Sequence, residues 1–301
     1  MTSLFVMLTG ESSREMVLGA LECQPDDYIT KPYTEASLRT RLNRAIIRHE
    51  ALLHIKKAIS DGDYQKAVGS CNELIKGGSR YSNDCIKMKG QLLFLLRQLA
   101  EAKQLYESVL DKKPLIWAKL GMGKTLLEMG KLDSAEDILE EVIREDSRYI
   151  EAHDLLADVF VAKNDMLSAQ KAIEKASHVS PKSVHRHRKL AELADINGDD
   201  ELSAKCHQNA IKWGMNSCHE SAQDYFNYAR KVSDVVRDGN NPGEGNVMVK
   251  QAINYLDRAR KRYGNSPEVE AQSHMVEAQL FHSQGRPDKA QESSEKAKKL
   301  Y

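Results

Sequence analysis

The sequence has no excess of either charge: Lys plus Arg and Asp plus Glu number 44 each, and the formal net charge is zero. Without a sustained positive field, the counterion release that drives nucleic-acid binding has no source. No Lys/Arg block marks contact with an anionic membrane. Cysteine is scarce. The five residues (Cys23, Cys71, Cys85, Cys206, Cys218) are odd in number, widely spaced and form no CxxC pair. That excludes a disulfide framework or zinc knuckle and points to the reduced thiols of a cytoplasm. Long apolar runs are absent too: Leu4–Leu8 is too short for a signal-peptide core, and nothing approaches the roughly 20 residues of a membrane helix. A soluble, cytoplasmic protein is expected. Against a background of 29% charged residues, no Ser/His/Asp or paired-carboxylate constellation stands out. No catalytic residue, cofactor or metal is therefore expected, and the chain reads as a non-enzyme. Cys206-His207 and Cys218-His219 do not change this, because neighbours on a helix point about 100° apart.

What the sequence does have is a period. Ala135, Ala169 and Ser203 stand 34 residues apart, as do Ala157 and Ala191, Ala176 and Ala210, and the series Gly130, Asn164, Gly198. Several columns sharing one step identify a repeat architecture. Each period reads as two helices. In residues 150–183, Leu156, Ala157 and Phe160 form one apolar face at helical spacing. Asn164-Asp165 breaks the pattern, Ala169, Ile173 and Ala176 form a second face, and Pro181 closes the unit where a helix cannot continue. Small residues at Gly123, Ala157, Ala191 and Ala278 mark positions where two helices cross closely.

These residues resemble the tetratricopeptide repeat family. Its unit has a small residue in the first helix, Gly or Asn at the turn, an Ala–bulky–small series in the second helix, and often a closing Pro. Residues 150–183 match through Ala157, Asn164, Ala169, Ile173, Ala176 and Pro181, and residues 83–115 through Gly90, Ala102, Tyr106 and Pro114. Gly62-Asp63-Tyr64 with Ala67, and Ala278, Phe281, Gly285, Ala290 and Ala297, mark the first and last units. About seven hairpins are expected over residues 48–301: 48–82, 83–115, 116–149, 150–183, 184–217, 218–270 with a flexible insertion at 238–246, and 271–301. The resemblance implies a mainly α fold, an α-α superhelical solenoid whose concave groove binds a protein or peptide partner. The family's groove-lining positions fall here on Lys87, Gln91, Phe94, Trp117, Leu120, Lys124, Glu151, Asp154, Asp158, His185, Arg188 and Glu192. The Lys/Asn pattern with which some members read a C-terminal acid is not reproduced, since Leu52, Lys56 and Leu120 occupy the corresponding places.

Residues 1–47 do not share the period. Leu4–Leu8 reads as a buried parallel strand, Glu11–Leu21 as a short amphipathic helix, Asp27–Thr30 as a second strand, and a helix starts near Thr34 and runs without a breaker into the first repeat. Leu8-Thr9-Gly10 and Asp26-Asp27-Tyr28-Ile29-Thr30-Lys31-Pro32-Tyr33 resemble the C-terminal half of a two-component receiver domain, a small partial α/β (β-α-β-α) segment. The resemblance implies phosphate contacts at Thr9 and Lys31, a switching aromatic at Tyr28 and a cis bond before Pro32. In receivers the acidic metal-binding pair and the phosphorylated Asp lie on earlier strands, so this segment is expected neither to accept phosphate nor to need magnesium. Two functions follow as expectations. One is an adaptor in bacterial two-component-type signalling. The other is an assembly factor or co-chaperone whose receiver remnant is a structural cap, with homodimerisation through the bare strand edge. A third pattern, Ala118 to Thr125, matches a relaxed phosphate loop, but Gly123 falls mid-helix in the repeat register and no strand precedes it. His185-Arg186-His187-Arg188, the densest cationic spot, reads as a solvated first helical turn or as a contact for an acidic partner segment.

Overall fold

A computed structural model describes residues 3–10, 17, 25–238 and 242–300. The helix expected over Glu11–Leu21 lies outside these residues apart from Val17. Two short strands, β1 (Val6–Thr9) and β2 (Asp27–Thr30), pair in parallel from Val6↔Asp27 to Thr9↔Thr30. β1 thus starts two residues later than the apolar run suggests and includes Thr9. The Lys31–Pro32 peptide bond is cis.

The described residues after Thr34 form helices joined by turns and short connections. The long helix α1 spans Glu35–Ser60. Its start is fixed by a capping box in which Thr34 Oγ1 accepts from the Ser37 backbone and Ser37 Oγ accepts from the Thr34 backbone, satisfying two donors left over at a helix end. No breaker separates residues 47 and 48, so the segment after β2 and the first repeat helix are one rod. In chain order there follow α2 (Tyr64–Lys76), α3 (Ser82–Leu95), α4 (Leu99–Leu110), α5 (Ile116–Glu128), α6 (Leu132–Glu145), α7 (Ile150–Ala162), α8 (Met166–Val179), α9 (Val184–Ile196), α10 (Asp200–Gly214), α11 (Ala222–Asp238), α12 (Pro242–Tyr263), α13 (Pro267–Ser283) and α14 (Pro287–Leu300). α12 begins at Pro242, so helix occupies residues 242–246 of the span read as an insertion. Its proline sits in the first turn, where a missing N–H is harmless.

The hairpin turns explain the period. Gly62, Gly130, Gly198 and Gly285 all take positive φ, between 68° and 78°, closing a first helix with a left-handed residue as glycine does best. Asn164 and Arg97 fill the same place at φ 61°. Arg97 is the one that departs from the Gly/Asn pattern and gives no warning in the sequence. Its N–H still bonds to the Phe94 carbonyl at 3.0 Å, and Gln98 N–H bonds to the Leu93 carbonyl at 2.9 Å.

The chain divides into two compact units. The first holds residues 3–165 among those described, with 178–181. Its core runs through Leu52, Ile55, Ala67, Cys71, Leu92, Ala102, Tyr106, Leu126, Leu139, Val142 and Val159, all buried. The alanines and glycines let helix axes approach where larger groups would separate them. Gly123 is such a place: a Cβ there would lie 2.8 Å from Leu139 Cδ2. The second unit holds residues 166–177 and 182–300, and its core is built on Tyr225, Phe226, Tyr228, Val232, Val249, Leu256, Val276 and Leu280. No helix among the described residues is long and apolar enough to cross a membrane.

Gly121 shows how tight the first unit is. A Cβ on Gly90 would come within 2.5 Å of the Tyr106 hydroxyl, and one on Gly121 would overlap the same ring from the neighbouring helix. Alanine ordinarily gains about 1 kcal/mol over glycine inside a helix, but overpacking costs about 1–3 kcal/mol, and a ring held from both sides has nowhere to move. Gly121→Ala should therefore lower the stability of this unit by about 1–2 kcal/mol. Gly69→Ala on α2, where no heavy atom lies within 4 Å, should raise it by up to about 1 kcal/mol. Urea titrations followed by Trp117 fluorescence measure both; equal shifts in one direction would contradict the packing argument.

Candidate partner-binding cleft

In the first unit the odd-numbered helices α1, α3, α5 and α7 contribute to one cleft of about 570 Å³. Helical spacing aligns the contributors. Lys87, Gln91 and Phe94 lie on one face of α3, Trp117, Leu120 and Lys124 on one face of α5, and Glu151 on the first turn of α7, and all seven line the cleft. α1 adds Arg48, Leu52 and Lys56, and Asp26 closes one end from the segment before β2.

The charges in the cleft fall into two sets. Arg48 is paired with Asp84 at 2.5 Å, and Lys56 donates to Asp26 at 2.8 Å. Asp26 also accepts from the Phe5 backbone at 2.9 Å. Burial works to raise the Asp26 pKa, but the Lys56 and Phe5 hydrogen bonds hold the carboxyl below its usual range. Those four charged groups hold the structure together. Lys87 and Glu151 pair with nothing among the described residues, and Lys124 sits with its ammonium 4.8 Å from the centre of the Phe94 ring, a cation–π contact that leaves its charge open to solvent.

The floor of the cleft is Tyr106, from α4. It is 3% exposed, lies edge-on to Trp117 with ring centres 6.4 Å apart, and occupies the slot between Gly90 and Gly121. Burial, with the nearby Glu151 carboxylate adding, pushes its phenol up to about 12. The repeat pattern marks Tyr106 only as the bulky residue of a second helix. The signal that makes it part of the cleft is a pair of glycines on two different helices facing the same ring.

The other residues aligned to the groove lie elsewhere. Asp154 is half-buried and Asp158 exposed on α7, outside the cleft lining. His185, Arg188 and Glu192 belong to α9 in the second unit. His185 and Glu192 are exposed, whereas Arg186 and His187 between them are buried, so the first turn of α9 is not a solvated cationic face. Arg188 reaches Asp224 with two hydrogen bonds of 2.8 and 2.7 Å and donates to the His219 carbonyl at 2.6 Å. Its guanidinium ties α9 to the start of α11. The Ala118–Thr125 pattern lies within the uninterrupted helix α5, with Gly123 against Leu139 and Lys124 over Phe94. A phosphate loop needs backbone N–H groups outside a helix, and these are not.

Near the N-terminus, Thr9 and Lys31 lie at the same end of the parallel pair. The Lys31 N–H donates to the Thr9 carbonyl at 2.7 Å, Tyr28 is half-buried and Pro32 exposed. Arg41 on α1 anchors β2 through Asp27, at 2.5 and 3.0 Å, and the Tyr28 carbonyl at 3.2 Å.

Residues 93–159 match the tetratricopeptide-repeat family model. That stretch covers the end of α3, all of α4 to α6 and most of α7, and so contains the Phe94–Trp117–Lys124 part of the cleft. Among solved structures, the C-terminal part of a tetratricopeptide-repeat protein from Cytophaga hutchinsonii matches with a TM-score of 0.59 at 13% identity, over 83% of this chain and 95% of that one. That likeness establishes the helical-repeat fold. A tetratricopeptide-repeat protein from Parabacteroides merdae matches at TM-score 0.48 and 16% identity, over 83% of this chain and 92% of that one. YrrB, described as having an unusual peptide-binding site, matches at TM-score 0.49 and 15% identity over 65% and 91%. No curated protein sequence matches the chain.

Proposed function

We propose that this protein is a docking scaffold and that the cleft of the first unit holds a protein or peptide segment of its partner. A fold of tetratricopeptide type suits this role, since stacked hairpins present an open face and enclose no dry reaction chamber. The observation that carries the reading is the combination inside one cleft of about 570 Å³. It offers a partly exposed aromatic pair, Phe94 and Trp117, beside polar groups, Lys87, Gln91 and Glu151, that have no hydrogen-bond or ion-pair partner among the described residues. Apolar anchors ringed by open charge are what a peptide groove requires.

Lys124→Glu tests this without disturbing the core, because Lys124 is exposed with its ammonium over the Phe94 face. Affinity capture from the source cell should retain a set of proteins with the native chain and lose it, by tenfold or more, with Lys124→Glu and with Trp117→Ala. Retention unchanged by both substitutions would reject the cleft as the docking site.

The finer role rests on residues 1–47. By their resemblance to a receiver, the scaffold serves two-component-type signalling, with Thr9 and Lys31 adjacent at one strand end. The cap reading has its own support: Arg41–Asp27 and Lys56–Asp26 tie the strand segment onto α1, and Asp26 forms one end of the cleft. On that reading the segment closes the first repeat and shapes the groove. An acidic pair and a phosphoacceptor Asp encoded upstream in the gene would favour signalling; their absence there would favour the cap.

A further inference from the structure

One column of the repeat breaks its own rule in the second unit. The bulky place in the second helix of a hairpin holds Leu139 in one repeat and Ile173 in the next, both buried. One period further on, the same place holds His207, and Ser203 stands where Ala135 and Ala169 stand before them. The two polar residues are as buried as their apolar counterparts, with Ser203 at 0% and His207 at 4% exposure. Neither the Ser203 hydroxyl nor His207 Nδ1 has a hydrogen-bond partner among the described residues. Such groups cost stability that an apolar side chain would keep, and a core place that departs from its pattern at a cost is where a functional device is expected. The surroundings of the ring are charged. Two ionic ties join α9 to α11: Arg188 to Asp224 at 2.8 and 2.7 Å, and Asp195 to Lys231 at 3.0 Å. Lys231 also lies 3.1 Å from Asp200 on α10 and 3.5 Å from Asp234 on α11. α10 packs against both α9 and α11, and all four ends of the two ties act on the His207 ring, Arg188 and Asp195 from α9 and Asp224 and Lys231 from α11.

We propose that His207 is a proton-operated latch in the seam between α9 and α11. Neutral, the imidazole fills the bulky place as Leu139 and Ile173 do and leaves both ionic ties intact. Protonated, it becomes a third cation, competing with Arg188 for Asp224 and with Lys231 for Asp195. It does so without the water that hydrates a surface imidazolium. The ties slacken, and the two hairpins that meet at the seam part. Burial holds His207 below its ordinary value of 6.5, against the pull of Asp195 and Asp224 and with the push of Lys231 and Arg188. The opened chain therefore takes up the proton first as the solution is acidified. The latch's stabilisation is complete above about pH 6.5 and is lost as the pH falls through the lower folded value. Carboxylates titrate near pH 4, so the seam answers to mild acid before they do.

The test is urea unfolding of the second unit, read by Trp213 in a chain carrying Trp117→Phe, at about pH 7.5 and about pH 5.5, where carboxylates stay ionised. Between these values the unfolding constant should rise about tenfold more with His207 present than with His207→Leu, which restores the column's apolar residue. His187, also buried in the second unit, is common to both chains and drops out of the difference. Amide hydrogen exchange at the two pH values, each scaled to the intrinsic rate, should show α9 and α11 opening more readily in acid, with the helices of the first unit unchanged. An equal pH dependence in both chains would overturn the latch, as would acid-induced opening that spares α9 and α11. A third readout needs no variant at His207: its imidazole, followed by NMR, should still be neutral at about pH 6. Proton uptake at or above about pH 6.5 would reject the proposal even if His207→Leu failed to fold.

Discussion

Arg188→Glu should lower the stability of the second unit by about 3–5 kcal/mol, the range for breaking a buried ion pair. The Asp224 side chain is 6% exposed and receives two guanidinium hydrogen bonds from Arg188. Reversing the charge removes both and sets a second carboxylate against the first, at the position where α9 meets the start of α11. The third hydrogen bond, to the His219 carbonyl at 2.6 Å, disappears with them and frees the connection ahead of α11. Arg188→Lys keeps the positive charge but cannot make a fork-shaped contact, and a smaller loss of about 1–2 kcal/mol follows, in line with two hydrogen bonds weakened. Trp213 lies in the same unit, and its fluorescence in a urea titration reads the change. If Arg188 instead faced a partner across solvent, both variants would stay within about 0.5 kcal/mol of the native chain.

That contrast marks what can be read from this sequence. Features shared by every unit leave columns: the small residue at a helix crossing, the left-handed residue that ends a first helix, the alanines of the second helix. A contact made once leaves none. Ala157, Asn164 and Ala169 announce a hairpin because Ala191, Gly198 and Ser203 repeat them one unit later. Arg188 pairs with Asp224 across 36 residues, a contact that none of the shared columns contains, so the sequence offers Arg188 only a groove position or a solvated helical turn. Arg97 fails in the opposite sense. It stands in a column that asks for Gly or Asn, and the hydrogen bonds around the turn impose φ 61° on it regardless.

The cleft shows the same division. Helical spacing alone places Lys87, Gln91 and Phe94 on one face of α3, and Trp117, Leu120 and Lys124 on one face of α5. What spacing cannot supply is which charges are already taken. Lys56 and Lys124 occupy equivalent places two units apart in the repeat pattern, yet Lys56 is bound to Asp26 at 2.8 Å and Lys124 is exposed over the Phe94 ring. The partner that makes the difference comes from outside the repeats, in the segment before β2. The floor residue Tyr106 reaches its place because α3 and α5 each lack a side chain there, a coincidence of two glycines 31 residues apart.

Glu220→Ala should be as damaging as Arg188→Glu, again about 3–5 kcal/mol, and it carries a pH signature. The Glu220 side chain is 4% exposed. Oε1 accepts from the Tyr225 hydroxyl at 2.7 Å and from Arg258 at 3.2 and 3.3 Å, and Oε2 accepts from the Asn216 backbone at 2.7 Å. Its carbonyl accepts from the Tyr263 hydroxyl at 3.0 Å. This one residue therefore joins α12 to the loop between α10 and α11, where Asn216 is itself held at φ 61°. Burial works against the charged carboxylate, but the Tyr225, Asn216 and Arg258 hydrogen bonds outweigh it and leave the pKa below the ordinary Glu value of 4.5. A lowered folded pKa means that the unfolded chain binds the proton first as the solution is acidified. The stabilisation is complete above about pH 4.5–5, the unfolded range, and is lost as the pH falls through the lower folded value. Glu220→Gln sharpens the test. The amide oxygen can still accept from Tyr225 or Asn216, but its NH2 then faces another donor, so about 1–3 kcal/mol is lost and the acid-dependent part disappears. Unfolding free energies of the native and Glu220→Gln chains, measured between about pH 3 and 7 by Trp213 fluorescence, should converge towards the acid end. Parallel curves across that range would show that the carboxylate charge contributes nothing to holding this loop.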